Sequence, residues 1–348
     1  MPVAHATDGA GSIRSPASEC GLVGPQPTRG RVSWGSLIGE AWADGAINGA
    51  VTRTVRDAAG VLDVISKRMP GEPYYAPPLP RPLVREAGAD PGRLRIGVLD
   101  RPDAEGYLDD PQCRAAVAGA ARLLESLGHH IEQPAPAAMF EPEFTGHFDT
   151  PIAANAEATF QAFERLLGHP IGNEEIEPRN AAYRRASQAL GAVAYLGSRM
   201  WLGMWARRMA HRWNDHDLLV TPTLGAPPPE LGWFTAAGPQ QEKERNISFT
   251  RYTAPVQHDR PAGHQPAPAL DPAGLPVGVQ LAAAYSREDL LIRVASQLKQ
   301  AAPWNDRHPA DTRVTRRPAD QPATREAAIR RIGENRTGRY ERLPGNGR

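Results

Sequence analysis

A short loop near the start of the chain carries the residue types of an acyl-transfer site. Residues 6–18 read Ala-Thr-Asp-Gly-Ala-Gly-Ser-Ile-Arg-Ser-Pro-Ala-Ser, which places Ser12 at the end of a run of small residues. Because glycine tolerates positive φ angles, the backbone N–H groups of such a run can turn toward one point and form an oxyanion hole. The candidate donors are the N–H groups of Gly9, Ala10, Gly11 and Ser12. A serine hydroxyl at the edge of that hole is a candidate nucleophile.

Two residues of opposite charge, Asp8 and Arg14, flank this loop and can pair across it to hold its shape. Non-catalytic roles also suit such a loop. Loops rich in Asp and Gly usually make turns, and most serines in them only bond nearby backbone. A shortened dinucleotide-binding loop is disfavoured, because Arg14 stands where the third glycine belongs and only Pro2-Val3-Ala4 precedes the loop as a candidate strand. The loop taken alone therefore favours an ordinary turn.

Four further segments follow the serine loop and favour a catalytic serine over an ordinary turn. The first two are Cys-Gly-Leu-Val-Gly-Pro-Gln-Pro-Thr-Arg-Gly-Arg at 20–31 and Gly-Ala-Val-Thr-Arg-Thr-Val-Arg-Asp-Ala-Ala at 49–59. The other two are Asp-Leu-Leu-Val-Thr-Pro-Thr at 217–223 and Gly-Leu-Pro-Val-Gly-Val-Gln-Leu at 274–281. Taken in order from about Met1 to Trp304, the chain resembles the amidase signature family, serine hydrolases that cleave amide bonds. Residues 3–8 are most similar to bacterial amidases of the 6-aminohexanoate cyclic dimer hydrolase type.

The resemblance implies an α/β fold, a mixed sheet flanked by helices, and hydrolysis of a carboxylic amide through an acyl-enzyme. Ser12 matches the family's nucleophile, and the four N–H groups named above match its oxyanion hole. A second serine, in a cis peptide bond, relays the nucleophile's proton to a lysine that acts as the base. A small-molecule amide is the implied substrate. No cofactor is implied, and no His or Cys spacing suggests a metal site.

In the family, the relay serine and the lysine both precede the nucleophile, whereas eleven residues precede Ser12 here. The chain has three lysines, Lys67, Lys243 and Lys299, and none has the sequence context of a buried base. We therefore expect the C-terminal two-thirds of an amidase, with its N-terminal portion missing and its hydrolysis impaired. The alternative is a non-catalytic remnant or pseudogene product of an amidase. A binding module that kept the fold has no positive support.

Three departures from the family pattern lie inside the matched region. Ala10 stands where the family usually has glycine, and its methyl group restricts φ at an oxyanion donor. Pro25 removes a backbone N–H from a strand expected to be buried. Residues 256–270 lack the character of a buried strand, although one choice of codons for them, read one base later, encodes Phe-Asn-Thr-Thr-Gly-Gln-Pro-Ala-Ile-Ser-Leu-Pro. This favours a compensated frameshift in the gene or in its sequencing.

Composition narrows the remaining function classes. The net charge of +1 argues against a nucleic-acid or membrane-surface protein, and no apolar run reaches the length of a membrane span. Cys20 and Cys113 are too few for a disulfide scaffold, so a reducing cytoplasm is expected. A homodimer remains an open assembly state.

Hydrophobic periodicity predicts alternating strands and helices. Val51, Val55, Ala58, Leu62 and Ile65 recur at three- and four-residue steps, which predicts a helix ended by Pro70-Gly71. Strands are predicted over 94–99, from 130, over 218–220 and over 277–281. Helices are predicted over 113–127, 180–213 and 288–302. The aromatic residues of 180–213 favour a core position over a substrate-pocket wall.

The end of the chain differs from the rest. Residues 305–348 hold eleven arginines and six acidic residues without sustained apolar periodicity. This composition predicts a disordered, arginine-rich tail after an amidase-like domain over 1–304. A basic nucleic-acid-binding arm is the less favoured interpretation.

Overall fold

The computed structural model describes residues 2–35, 38–99, 107–133, 137–236, 238–258, 262–265 and 269–304. The predicted tail, 305–348, lies outside the described residues. The strands are β1 (Val3–Asp8), β2 (Gly24–Gln26), β3 (Ile47–Thr52), β4 (Arg95–Val98), β5 (His130–Glu132), β6 (Leu218–Pro222), β7 (Ala262–Gln265), β8 (Ala269–Leu270), β9 (Pro276–Val277) and β10 (Val279–Ala283). The α-helices are α1 (Arg14–Glu19), α2 (Val55–Ile65), α3 (Pro111–Ser126), α4 (Phe144–Leu167), α5 (Pro178–Gln188), α6 (Ala192–Ala210), α7 (Pro239–Phe249), α8 (Thr253–His258) and α9 (Glu288–Ala301).

A six-stranded mixed sheet organises these elements, with the strand order β2-β7-β10-β6-β4-β5. β4 pairs in parallel with both β5 and β6, whereas β10 runs antiparallel to β6 and β7. The predicted strand–helix–strand unit is β4–α3–β5, and its parallel strands require the crossover that α3 provides. The predicted α/β fold with a mixed sheet is confirmed.

Side chains of the central strands alternate between two hydrophobic cores, one on each face of the sheet. Leu218 and Val220 of β6 pack in the core formed with α3 and α9, while Leu219 packs on the other face with α4 and α6. In β10, Leu281 packs in the core with α3 and α9, and Ala282 packs on the face with α4 and α6. Because successive strand side chains point to opposite faces, a strand covered on both sides must be apolar throughout.

The bounds of two predicted helices are wrong. Val51 belongs to β3, where it pairs with Ala4, and α2 begins only at Val55. Thr54 sets that start, since its hydroxyl accepts a hydrogen bond from the Asp57 N–H at 3.0 Å. The helical segment predicted over 180–213 contains two helices, α5 and α6, because the backbone is extended at Gly191 between them.

Two observations correct the expectations for strands. The strand predicted over 277–281 divides at Gly278, whose N–H donates to Ser18 Oγ at 2.9 Å instead of to a neighbouring strand. Residues 262–265, expected to lack strand character, form β7 between β2 and β10. Backbone pairing with two neighbours requires no particular side chain, which explains a strand there. Pro25 lies in β2 at the edge of the sheet, where a missing N–H is tolerated.

Within the described residues, no helix combines the length and the hydropathy needed to cross a membrane. Cys20 and Cys113 are both free thiols, the first exposed and the second buried.

Candidate active site

Ser12 lies in the tight turn that joins β1 to α1. β1 pairs antiparallel with β3, with Asp8 opposite Ile47, and this two-stranded ribbon carries the chain into the turn. The turn closes on itself because the Ser15 N–H donates to the Gly11 carbonyl at 2.6 Å. Ile13 and Arg14 are fully buried just after the turn, whereas Ser12 itself is exposed. The turn therefore presents the Ser12 side chain outward from an anchored backbone.

The anchor is an ion pair between Asp8 and Arg14, both fully buried. Arg14 Nε lies 3.0 Å from Asp8 Oδ2 and Arg14 Nη2 lies 3.1 Å from Oδ1, so the contact is bidentate. The same carboxylate accepts the N–H of Gly11 at 2.6 Å and the N–H of Ile13 at 3.2 Å. Asp8 thus holds the backbone on both sides of Ser12.

Arg14 also ties the loop to the central sheet. Its Nη1 donates to Gln280 Oε1 at 2.6 Å and to the Thr253 carbonyl at 2.9 Å. Gln280 in turn donates through Nε2 to Thr221 Oγ1 at 3.0 Å and to the Tyr252 carbonyl at 3.2 Å. Because the polar side chains of this network find their partners within a buried region, the position of the serine loop is tightly specified.

Thr253, at the start of α8, closes the loop from the other side. Its hydroxyl lies 2.5 Å from the Ala10 carbonyl, to which it donates. Gly11 adopts φ +132°, and a side chain there would overlap the Thr253 side chain and Ser15 Oγ. Glycine is required at this position both by its dihedral angle and by the lack of space.

Trp42 packs its indole ring directly against Gly9, so that a side chain at position 9 would overlap the ring. Trp42 and the following Ala43 have positive φ angles of 53° and 55°, an uncommon conformation for residues other than glycine. This strained turn brings the indole over the small residues of the loop. Ala10, which departs from the family pattern, is half-buried. Like Trp42, it packs against the hydrophobic core on the α4 and α6 face of the sheet.

The backbone N–H groups of the loop divide into two sets. The Gly11 N–H points to the Asp8 carboxylate and is therefore already used. The N–H groups of Gly9, Ala10 and Ser12 have no acceptor among the described residues. These three remain as candidate donors to an oxyanion, whereas the Gly11 N–H, the fourth donor named from the sequence, donates to Asp8 in this structure.

A cavity of about 290 Å³ opens beside Ser12 and Ala10. Its walls come from α4, α5 and the segment that joins α7 to α8, none of which is near the serine loop in sequence. Six aromatic side chains contribute to the lining, namely Trp42, Tyr107, Phe140, Phe144, Phe148 and Tyr183. A concave site with aromatic walls next to an exposed serine suits the binding of a small organic molecule.

The acidic groups of the cavity are paired with cations. Asp149 contacts Lys243 Nζ at 2.6 Å, and this contact raises the pKa of the lysine ammonium. Burial, and then the Asp149 charge, raise the pKa of the Tyr183 phenol. Glu141 accepts from Arg208 Nε at 2.8 Å.

No base is placed beside the serine by the described residues. Ser12 Oγ has no hydrogen-bond partner among them, and neither Lys nor His stands among the described residues that line the cavity. Lys67 is exposed, and the raised pKa of Lys243 is the opposite of what a neutral base requires. No grouping of His, Cys, Asp and Glu in the described residues has the geometry of a metal site.

Several residues that build the site escaped the sequence reasoning. Thr253, Trp42 and Arg251 carry no local motif, and each lies 30 or more residues from Ser12 along the chain. Of the aromatic residues predicted as core over 180–213, Trp205 is fully buried and donates through Nε1 to the Ala138 carbonyl at 2.7 Å. Tyr183 instead lines the cavity. Helical periodicity alone does not distinguish these two surroundings.

Comparison with known proteins identifies a family and several proteins to which this chain is similar. A family model described as Amidase matches residues 1–292. The 6-aminohexanoate-cyclic-dimer hydrolase of Paenarthrobacter ureafaciens is 36% identical over 320 residues, which cover 88% of this chain and 64% of that protein. A putative amidase AmiC of Mycobacterium leprae is 31% identical over 307 residues, which cover 87% of this chain and 63% of that protein. The chain thus spans just under two thirds of the length of these relatives.

Solved structures are also similar to this chain. A 6-aminohexanoate cyclic dimer hydrolase complexed with substrate superposes with a TM-score of 0.84 at 34% identity, over 88% of this chain and 66% of that one. A bacterial aryl acylamidase of the amidase signature family superposes with a TM-score of 0.77 at 22% identity, over 89% of this chain and 65% of that one. At this lower identity the second comparison concerns the fold alone.

Proposed function

Because this chain belongs to the amidase family, we propose that it hydrolyses a carboxylic amide through an acyl-enzyme on Ser12. The observation that carries the proposal is the loop itself, with an exposed serine hydroxyl, three N–H groups that have no acceptor among the described residues, and an adjoining cavity. Attack of Ser12 Oγ on the amide carbon forms a tetrahedral oxyanion. The N–H groups of Gly9, Ala10 and Ser12 then stabilise its negative charge. Collapse expels the amine, which leaves with the proton released by Ser12 Oγ, and water then hydrolyses the resulting ester to a carboxylic acid and the free serine.

The rate of this reaction depends on activation of the hydroxyl. An unactivated serine is a weak nucleophile near neutral pH, and the described residues place no base at hydrogen-bonding distance from Ser12 Oγ. We therefore propose that the 348-residue chain turns over amides slowly. Serine hydrolases without their activating group keep about 10³–10⁴-fold over water from the oxyanion hole and binding.

Covalent labelling tests the nucleophile independently of turnover. A fluorophosphonate should modify the full chain slowly, and mass spectrometry should locate the adduct on the peptide containing Ser12. Ser12→Ala should abolish the adduct, whereas Ser126→Ala, an exposed serine on α3, should label like the parent chain. An adduct that persists in Ser12→Ala would show that the nucleophile is another residue. Complete absence of labelling at high reagent concentration would favour a non-catalytic remnant.

We propose a reducing cytoplasm as the place of action, supported by the two free thiols.

We also propose a homodimer as the assembly state. Its support is an exposed apolar stripe along α6, formed by Val193, Leu196, Met200 and Met204. Sedimentation equilibrium on the parent chain and on Met200→Glu should show a dimer in the first and a monomer in the second.

A further inference from the structure

Arg251 is a cation of the cavity lining that the proposed chemistry does not use. It lies between α7 and α8, lines the cavity shared with Ser12, and is only 7% exposed. Neither Nη1 nor Nη2 has a hydrogen-bond partner among the described residues. Charged side chains are almost never fully buried without a partner, because desolvation costs several kcal/mol per ion. A buried guanidinium with two unused donor atoms at a cavity wall therefore points to an anion that occupies the cavity.

The surroundings of Arg251 hold the guanidinium in place without neutralising it. The rings of Tyr107, Tyr252 and Phe140 lie 4.9, 5.0 and 5.2 Å from its Cζ atom. Such contacts stabilise a cation through the ring quadrupole, yet they supply no acceptor for the N–H groups. The planar donor fork is thus positioned in advance, and its two terminal nitrogens are buried without an acceptor among the described residues.

The other charged residues described in the cavity lining do not compete for this role. Glu141 and Asp149 are each bound to a cation, Arg208 and Lys243 respectively, so neither carboxylate is available to Arg251. Arg179, the second arginine of the lining, lies 3.9 Å from the Glu242 carboxylate. Among the described lining residues, Arg251 is therefore the cation that lacks a carboxylate partner.

We propose that Arg251 binds a carboxylate of the substrate, so that the preferred amides carry a free carboxylate on the part that enters the cavity. The substrate side of this inference rests on the proposed amide hydrolysis, whereas the carboxylate site itself does not. A carboxylate matches the guanidinium fork in geometry and charge, and its apolar stem would pack against the surrounding rings.

Binding to the full chain tests the site without requiring turnover. The probes are N-acetyl ω-amino acids of increasing chain length, each paired with its neutral carboxamide of the same length. Calorimetry should show the carboxylate of the best-fitting length binding at least about tenfold more tightly than its carboxamide, the gain expected for a charge-assisted hydrogen bond. In Arg251→Met this preference should vanish, while Arg122→Met, an exposed arginine on α3, should keep it.

Arg251→Met retains the length of the side chain and removes the unpaired charge from an aromatic cluster, so we expect it to fold and to melt no earlier than the parent chain. Arg251→Lys keeps the charge without the fork and should retain only part of the preference. Equal binding of acid and carboxamide, binding of neither, or a preference that survives Arg251→Met would each overturn the inference. If the fluorophosphonate experiment fails while the carboxylate preference holds, the site stands and the proposed reaction does not.

Discussion

The buried pair of Asp8 and Arg14 is the contact on which the geometry of the serine loop depends. Asp8→Asn keeps the shape of the side chain but leaves Arg14 as an uncompensated buried cation. Breaking one partner of a buried pair costs about 3–5 kcal/mol, and we expect a loss of that size in the free energy of unfolding, measured by urea denaturation. Labelling of Ser12 should fall with it, because the Gly11 and Ile13 N–H groups lose their charged acceptor.

An exposed pair supplies the control for this substitution. Arg95 Nη2 lies 3.3 Å from Asp217 Oδ1, with the two side chains 48% and 36% exposed. Exposed pairs contribute about 1 kcal/mol or less, so Asp217→Asn should change the stability far less than Asp8→Asn. Equal losses in the two variants would contradict the claim that burial makes the Asp8 pair critical.

Gly11 tests how closely the loop is packed. Gly11→Ala combines a disfavoured dihedral angle, which costs about 1–2 kcal/mol, with overlap against Thr253. Gly71→Ala has the same kind of angle, φ +86°, but nothing within 4 Å of the added methyl, so it reports the angle alone. We expect Gly11→Ala to unfold at a lower urea concentration than Gly71→Ala and to label more slowly at position 12. Matching behaviour would mean that the loop adapts to a methyl group.

Among the helices, α9 is held to the turn over Leu83–Arg85 by one buried carboxylate. Glu86 accepts from Arg81 Nη2 at 2.7 Å and from Arg293 Nε of α9 at 2.6 Å. The Arg81 hydrogen bond, together with Arg293, lowers the pKa of Glu86 from 4.5 to about 2. A carboxylate with a lowered pKa stabilises the fold above its unfolded-state pKa, and that stabilisation disappears as the pH falls from about 4.5 toward 2.

Glu86→Gln should therefore lower the stability near neutral pH by about 1–3 kcal/mol. It should also flatten the acid dependence of the free energy of unfolding over the same pH window. Glu125→Gln, at an exposed position of α3, should leave the pH profile as in the parent chain. A parallel profile for Glu86→Gln and the parent chain would show that Glu86 contributes no pH-dependent stability.

Over the entire chain, the arginine-rich segment from residue 305 onward is proposed to be dispensable. Its composition gives it no apolar periodicity with which to build a core, and its eleven arginines are sites for trypsin. Brief digestion should shorten the chain to about residue 307, as read by intact mass, and leave the melting temperature unchanged. Protection of the segment, or a lower melting temperature after its removal, would assign it a structural role.

The sequence alone was sufficient to predict features that depend on short separations. Asp8 and Arg14 are six residues apart, and small residues between them predict a tight turn whatever the rest of the chain does. The apolar steps of α3 and α9 and the apolar runs of β4 and β6 are likewise local patterns, which is why an α/β fold with a crossover helix could be predicted. The mixed sheet was implied by the resemblance to the amidase signature family. Local pattern misplaced the start of α2, because Val51 of β3 pairs with Ala4 and Thr54 caps the helix three residues later.

The tertiary structure decided what the loop touches. Thr253 and Gln280 are 239 and 266 residues from Arg14, yet both bind its guanidinium, and no local signal marks such partners. β7 became a strand because β2 and β10 lay on either side of it, and not because of its own residues. The same holds for Arg251, which in the sequence is one more arginine among 40 basic residues. Only folding buries Arg251 among three rings at the cavity wall, without an acceptor among the described residues. The physical reason is that burial and hydrogen bonding depend on the neighbours that pack around a residue, and not on the residue itself.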